Sequence, residues 1–220
     1  MTTSLPFHAV LWDMDGVIVD SYDGHYHAWQ RIFNELGHHL TEDEFARTFG
    51  MNNRLILYTI LNRKLPEDEF QAISDRKEEY FRESIRGSAQ LLPGVAAWLE
   101  CFKDSGIKQA VASSAPQANI DAMLNELGIR HYFQAEAAGA AIRGKPDPAV
   151  FLLAAEMLDV PPQACLVIED AIAGVEAAKR GGMKCIAVFT TNSAEKLSAA
   201  DLIVKDLTEL TFDSLRHMYR

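Results

Sequence analysis

Cysteine is scarce in this 220-residue chain: Cys101, Cys165 and Cys185 are an odd number, far apart in sequence. Their spacing supports neither a disulfide framework nor a zinc site. It suits small buried hydrophobes in a reducing compartment, so a cytoplasmic protein is expected. Positive charge is also in deficit, with 21 Lys and Arg against 31 Asp and Glu and a formal net charge of -10. That balance argues against nucleic acid and anionic membrane surfaces as partners. No apolar run approaches the length of a membrane span, and the N-terminus lacks a signal-peptide pattern. Internal repeats and low-complexity tracts are absent too. What remains is an ordinary globular composition, 48% hydrophobic and 24% charged, in a chain long enough for one domain with a smaller one inserted.

Short apolar runs recur at Ala9–Trp12, Gln109–Ala112, Leu166–Ile168, Cys185–Phe189 and Leu202–Val204, each followed by a polar or glycine-containing break. Amphipathic stretches of helical length lie near Gln117–Leu127, Ala149–Leu158 and Ile172–Arg180. This alternation predicts an α/β fold, a doubly wound parallel sheet with helices on both faces. The stretch from Tyr22 to Ile85 differs. It has no convincing strand, but helical periods such as Tyr26, Trp29, Ile32, Phe33 and Leu36, with further helices expected over Leu55–Leu61 and Phe70–Ile85. Residues 1–21 and 88–220 are therefore expected to form a Rossmann-like core, and residues 22–87 an inserted all-helical cap. Placed directly after the first strand, such a block can close over a site there and exclude water.

Strand ends carry the chemistry-bearing residues. The first strand runs into Asp13-Met-Asp-Gly, and ligands of open parallel sheets sit at the carboxyl ends of strands. Asp13 and Asp15 there attract a hard cation such as Mg2+, or divide the work of nucleophile and general acid/base. The plain alternative is an acidic turn. Ser113, with the backbone N–H of Ser114, can hold phosphate oxygens, or cap the following helix. Lys145, in Gly144-Lys-Pro-Asp-Pro148, can neutralise a phosphoryl group, or be a solvated loop lysine. Glu169 and Asp170 repeat the strand-end acid pattern. A divalent ion shared by Asp13, Asp15 and Asp170 would offset their mutual repulsion, whereas the bland reading is acids favoured at a helix N-terminus.

In this order, and at these places, the motifs resemble those of the haloacid dehalogenase superfamily. The similarity is to its beta-phosphoglucomutase-like group with a helical cap, and it covers nearly the whole chain. It rests on Asp13–Ser21, Ser113, Gly144–Pro148 and Glu169–Met183. The resemblance implies that Asp13 is a nucleophile forming an aspartyl phosphate and that Asp15 is the general acid/base. Ser113 and Lys145 would hold phosphoryl oxygens. Mg2+ would be bound by Asp13, the Asp15 carbonyl and Asp170, with Glu169 in or beside that set. Because a halide leaves without a proton and an alkoxide does not, Asp15 favours phosphoryl transfer over dehalogenation.

The cap is expected to choose the substrate, a small phosphorylated metabolite of the sugar phosphate kind. Arg54, in Phe49-Gly-Met-Asn-Asn-Arg54, aligns with an arginine that grips a distal phosphate in the mutase, or is an arginine on a helix surface. His25 resembles a hinge-region histidine that relays protonation of Asp15, or is a partly exposed, non-catalytic histidine; Lys77 resembles a basic cap residue facing substrate, but its charge-rich helix favours a solvated face. Departures from the mutase pattern are Pro116-Gln117 in place of a Lys-Asn pair, Glu78 in place of a small amide, and Ala171 in place of a common serine. They favour a Mg2+-dependent phosphatase over a phosphomutase, working as a monomer or weak homo-oligomer.

Overall fold

Ala9–Trp12 is buried at all four positions, and this is possible because it is paired on both sides. The computed structural model describes residues 5–49 and 51–219. Gly50, in the loop read above as a substrate loop, lies outside the described residues. Along the chain the elements are β1 (Ala9–Trp12), α1 (Tyr22–Glu35), α2 (Glu42–Thr48), α3 (Asn53–Leu61), α4 (Glu67–Ser84), α5 (Val95–Asp104), β2 (Lys108–Ser113), α6 (Gln117–Leu127), β3 (Ala135–Ala138), α7 (Ala149–Met157), β4 (Cys165–Glu169), α8 (Ile172–Arg180), β5 (Lys184–Val188), β6 (Leu202–Val204) and α9 (Phe212–His217). They form two compact units, one from the chain up to Asp20 and from Gln90 onward, the other Ser21–Ala89.

The first unit is built on a six-stranded sheet of order β3-β2-β1-β4-β5-β6, parallel throughout. The order reverses at β1, whose neighbours β2 and β4 lead away on opposite sides, so the crevice at their carboxyl ends is the switch point of the sheet. Register then does local work. Trp12 lies opposite Ile168, so the next residues, Asp13 and Glu169, are brought alongside each other at strand spacing. One face of the sheet buries Leu11, Ala110, Ala112 and Val167 with Phe151, Ala154 and Ala178 from α7 and α8. On the central strands Trp12 meets Phe102 edge-on, and its indole N–H donates to the buried Gln109, whose amide in turn donates to the Leu99 carbonyl. That relay leaves no orphaned polar group at these positions.

β3 does not follow from composition. Ala-Glu-Ala-Ala has the residues of a helix, yet it pairs in parallel with β2 from Ala135 to Ala138 as an edge strand. Cys165 and Cys185 are buried in the core and Cys101 is half-buried, all as free thiols.

The second unit is helical. Its core joins Trp29, Ile32 and Phe33 of α1 to Phe45, Leu57 and Ile73. Thr41 and Glu44 form a reciprocal capping box at the start of α2, and Asn52 caps α3 by accepting from the Leu55 N–H. No helix among the described residues is long and apolar enough to cross a membrane.

Candidate active site

Asp13 and Asp170 follow β1 and β4 directly, and Glu169 is the last residue of β4; all three are buried. Each offers a carboxylate oxygen within 4.8 Å of the others'. Lys145 reaches the same point from the loop before α7, with its Nζ 2.6 Å from Asp13 Oδ1 and 2.6 Å from Glu169 Oε1. The lysine side chain is only 9% exposed, so it is a buried cation committed to two acids. Glu169 has both oxygens engaged, since its Oε2 accepts from the backbone N–H groups of Asp170 and Ala171 at the start of α8. It thus satisfies the two backbone donors that lead into α8 while holding the lysine.

Two glycines make room for these carboxylates. A Cβ on Gly174 would lie 1.7 Å from Glu169 Oε1, so α8 comes this close to the strand end only with a bare backbone there. Gly16 has φ +78°, and a Cβ on it would lie 2.1 Å from Asp170 Oδ2.

The electrostatics fit a divalent cation. Burial pushes the Asp13 carboxyl up to about 7 against the pull of Lys145, and Glu169 and Asp15 add to the rise. Burial, then Glu169 and Asp13, likewise push Asp170 well above the usual carboxylate range. Burial works against the charge on Lys145, but Asp13 and Glu169 outweigh it and hold the ammonium above its ordinary value. One ammonium cannot balance three buried carboxylates, and no cationic side chain among the described residues pairs with Asp170. An all-oxygen donor set with excess negative charge suits Mg2+.

Ser113 ends β2 and is buried, and its Oγ accepts from the Ala115 N–H. It is not the cap of α6, whose N-cap is Pro116. Ser114 is exposed beside it, and Asp15 is half-buried just beyond β1. Sequence reasoning passed over the loop after β5. There Thr190 Oγ1 donates to the Gly16 carbonyl at 2.5 Å, Thr191 Oγ1 to Asp170 Oδ2, and Asn192 Nδ2 to the Asp170 carbonyl at 3.2 Å. The available signal was the strand-end position of these three polar residues.

In the helical unit His25, Lys77 and Glu78 come together, with Lys77 Nζ 2.9 Å from His25 Nδ1 and 3.0 Å from Glu78 Oε1. Asn53 Nδ2 also donates to Glu78 Oε1, at 2.8 Å, and the His25 ring stacks on Phe81 at 3.9 Å. The solvated face read for Lys77 is corrected here, because the residue is 2% exposed. A charge-rich helix hides which of its charges turn inward. Arg54 stands apart from this cluster. It is exposed, paired with Glu67 at 2.7 and 2.9 Å, and lies over the Phe70 ring.

A profile of the haloacid dehalogenase-like hydrolases matches residues 7–182. Beta-phosphoglucomutase of Bacillus subtilis is 34% identical over 94% of this chain and 93% of its own length. A phosphorylated carbohydrates phosphatase of Thermotoga maritima is also 34% identical, over 89% of this chain and 92% of its own. Among solved structures, beta-phosphoglucomutase of Clostridium difficile superposes with a TM-score of 0.85 at 31% identity, covering 97% of each chain.

Proposed function

The chain belongs to the haloacid dehalogenase-like hydrolases, and on that premise we propose that it is a Mg2+-dependent phosphatase of a small sugar phosphate. The observation that carries this reading is Lys145 Nζ held 2.6 Å from both Asp13 and Glu169 in a buried acidic cluster. A cation so placed stabilises charge on phosphoryl oxygens, and phosphoryl transfer depends mainly on positioning and such stabilisation. Asp13 Oδ attacks phosphorus and forms the aspartyl phosphate as the phosphorus–ester oxygen bond breaks. Asp15 gives its proton to the departing oxygen, then takes one from the water that attacks the aspartyl phosphate and releases inorganic phosphate. Ser113, Ser114 and Lys145 hold the phosphoryl oxygens. Asp13, Asp170 and the Asp15 carbonyl would hold Mg2+, with Glu169 adding charge beside them while it anchors Lys145. When bound, the ion offsets the carboxylate charge and polarises the phosphoryl group.

The mutase reading has support in the equal identity to a phosphomutase and a phosphatase. Charge bookkeeping in the helical unit favours hydrolysis. A second phosphate needs cations to spare, but Glu78 already neutralises Lys77 and Glu67 already pairs with Arg54. Pro116 supplies neither charge nor N–H where the mutase pattern has a lysine.

Phosphorus NMR of the protein with Mg2+ and separate sugar 1-phosphates and 6-phosphates tests this. The expected product is inorganic phosphate, absent with Asp13→Asn. Conversion of a 1-phosphate into a 6-phosphate in the presence of trace bisphosphate would replace the phosphatase reading with the mutase. Equal turnover by Asp13→Asn would remove the mechanism.

A further inference from the structure

We infer that Thr191 is a positioning residue for the Asp170 carboxylate and sets the affinity of the cation site through it. This rests on the reading of Asp170 as a cation ligand. Asp13 and Glu169 are fixed by Lys145, but Asp170 shares no such ammonium. The terminal torsion of an aspartate is broad and holds no single orientation by itself. The restraint comes from another strand: Thr191, three residues past β5, donates its hydroxyl to Asp170 Oδ2, and the adjacent Asn192 donates to the Asp170 carbonyl at 3.2 Å. Thr190 completes the clasp by donating to the carbonyl of Gly16 at 2.5 Å. Gly16 provides the space into which Asp170 Oδ2 points, and Thr191 keeps it there; a Cβ at position 16 would also lie 2.9 Å from Thr191 Oγ1.

Three consecutive side chains of one loop therefore tie the loops after β1 and β4 together, and one of them holds a carboxylate oxygen. A carboxylate with one oxygen taken by a hydroxyl donor retains its second for a cation, in an orientation set before the ion arrives. Partners of this kind typically change metal affinity by about 10–100-fold when removed. The positions following Asp170 offer no substitute, since Ala171 has no hydroxyl.

Titration calorimetry of Mg2+ into the metal-stripped full chain tests the inference, with Mn2+ electron paramagnetic resonance as a second readout. Thr191→Val is expected to weaken binding by about 10–100-fold. Thr191→Ser, which keeps the hydroxyl, is expected to restore wild-type affinity. In turnover, Thr191→Val should raise the Mg2+ concentration needed for half-activity and leave kcat at saturating Mg2+ near wild type. Wild-type affinity in Thr191→Val overturns the inference, as does a Thr191→Ser as weak as Thr191→Val. Should Thr191→Val fail to fold, Thr191→Ala carries the same comparison. Asp170→Asn separates the levels: if it binds Mg2+ like wild type, the cation reading itself falls. If it loses binding while Thr191→Val does not, only the role of Thr191 falls.

Discussion

At the scale of single residues, Asp13 holds a proton in the metal-free folded state that the unfolded chain releases near pH 4, because its folded value is about 7. Between those values folded Asp13 binds more protons than unfolded Asp13, so the contribution of this group to stability declines as pH rises from about 4 to about 7 and levels off above. Asp13→Asn removes the charge that burial penalises. In EDTA the variant should be more stable than wild type at pH 8 by on the order of 1–4 kcal/mol, with the gain shrinking toward pH 5. Urea midpoints across that range check it, and a pH-independent difference would exclude the assigned cause. The residues in this argument could be read from the sequence. Asp13, Lys145, Glu169 and Asp170 each interrupt a strand end or loop with a charge; sheet register brings the acids together, and the loop before α7 delivers the lysine. Thr191 could not be read that way, because a hydroxyl in a polar loop carries no periodic or charge signal.

At the scale of elements, α4 carries Lys77 and Glu78 side by side and buries both. Glu78→Ala would leave the Lys77 ammonium buried without its carboxylate partner. A loss of about 3–5 kcal/mol is expected, as for a broken buried ion pair. The double variant Lys77→Met/Glu78→Met removes both charges and should regain most of that loss. Hydrogen exchange of α1 and α4 reports the helical unit directly, and a double variant no more protected than the single one would show that packing, not charge, is responsible. The same element marks a limit of sequence reading. Helical periodicity located α4 to within a few residues, but a run such as Asp75-Arg-Lys-Glu-Glu79 has too many charges for periodicity to tell which face turns inward. β3 was missed for the opposite reason: its alanines and glutamate favour helix, and only pairing along β2 makes them a strand.

At the scale of the whole molecule, the proposed cation joins groups from β1 and β4, which are far apart in the chain and central in the sheet. Mg2+ binding should therefore stabilise the sheet unit as a body. At 100 times the dissociation constant the expected gain is about 2.7 kcal/mol. Hydrogen exchange with Mg2+ or EDTA should show added protection in β1, β4 and α8 and none in α1 or α4. Protection gained equally in both units, or in neither, would contradict the placement of the ion. A formal net charge of -10 would repel a phosphorylated substrate in general, so on the proposed reading local neutralisation by Lys145 and the ion would let that anion approach.

By itself the sequence determined the alternation of buried strands and amphipathic helices, the helical insertion after the first strand, and the charged residues at the strand ends. These are local properties: hydrophobic period, turn residues and charge are written in neighbouring positions. Tertiary structure decided which of those charges meet, which are already neutralised, and which polar loop holds Asp170. Strand register, the absence of a Cβ at Gly16 and Gly174, and the inward turn of α4 are relations between distant segments. No stretch of the chain carries them alone.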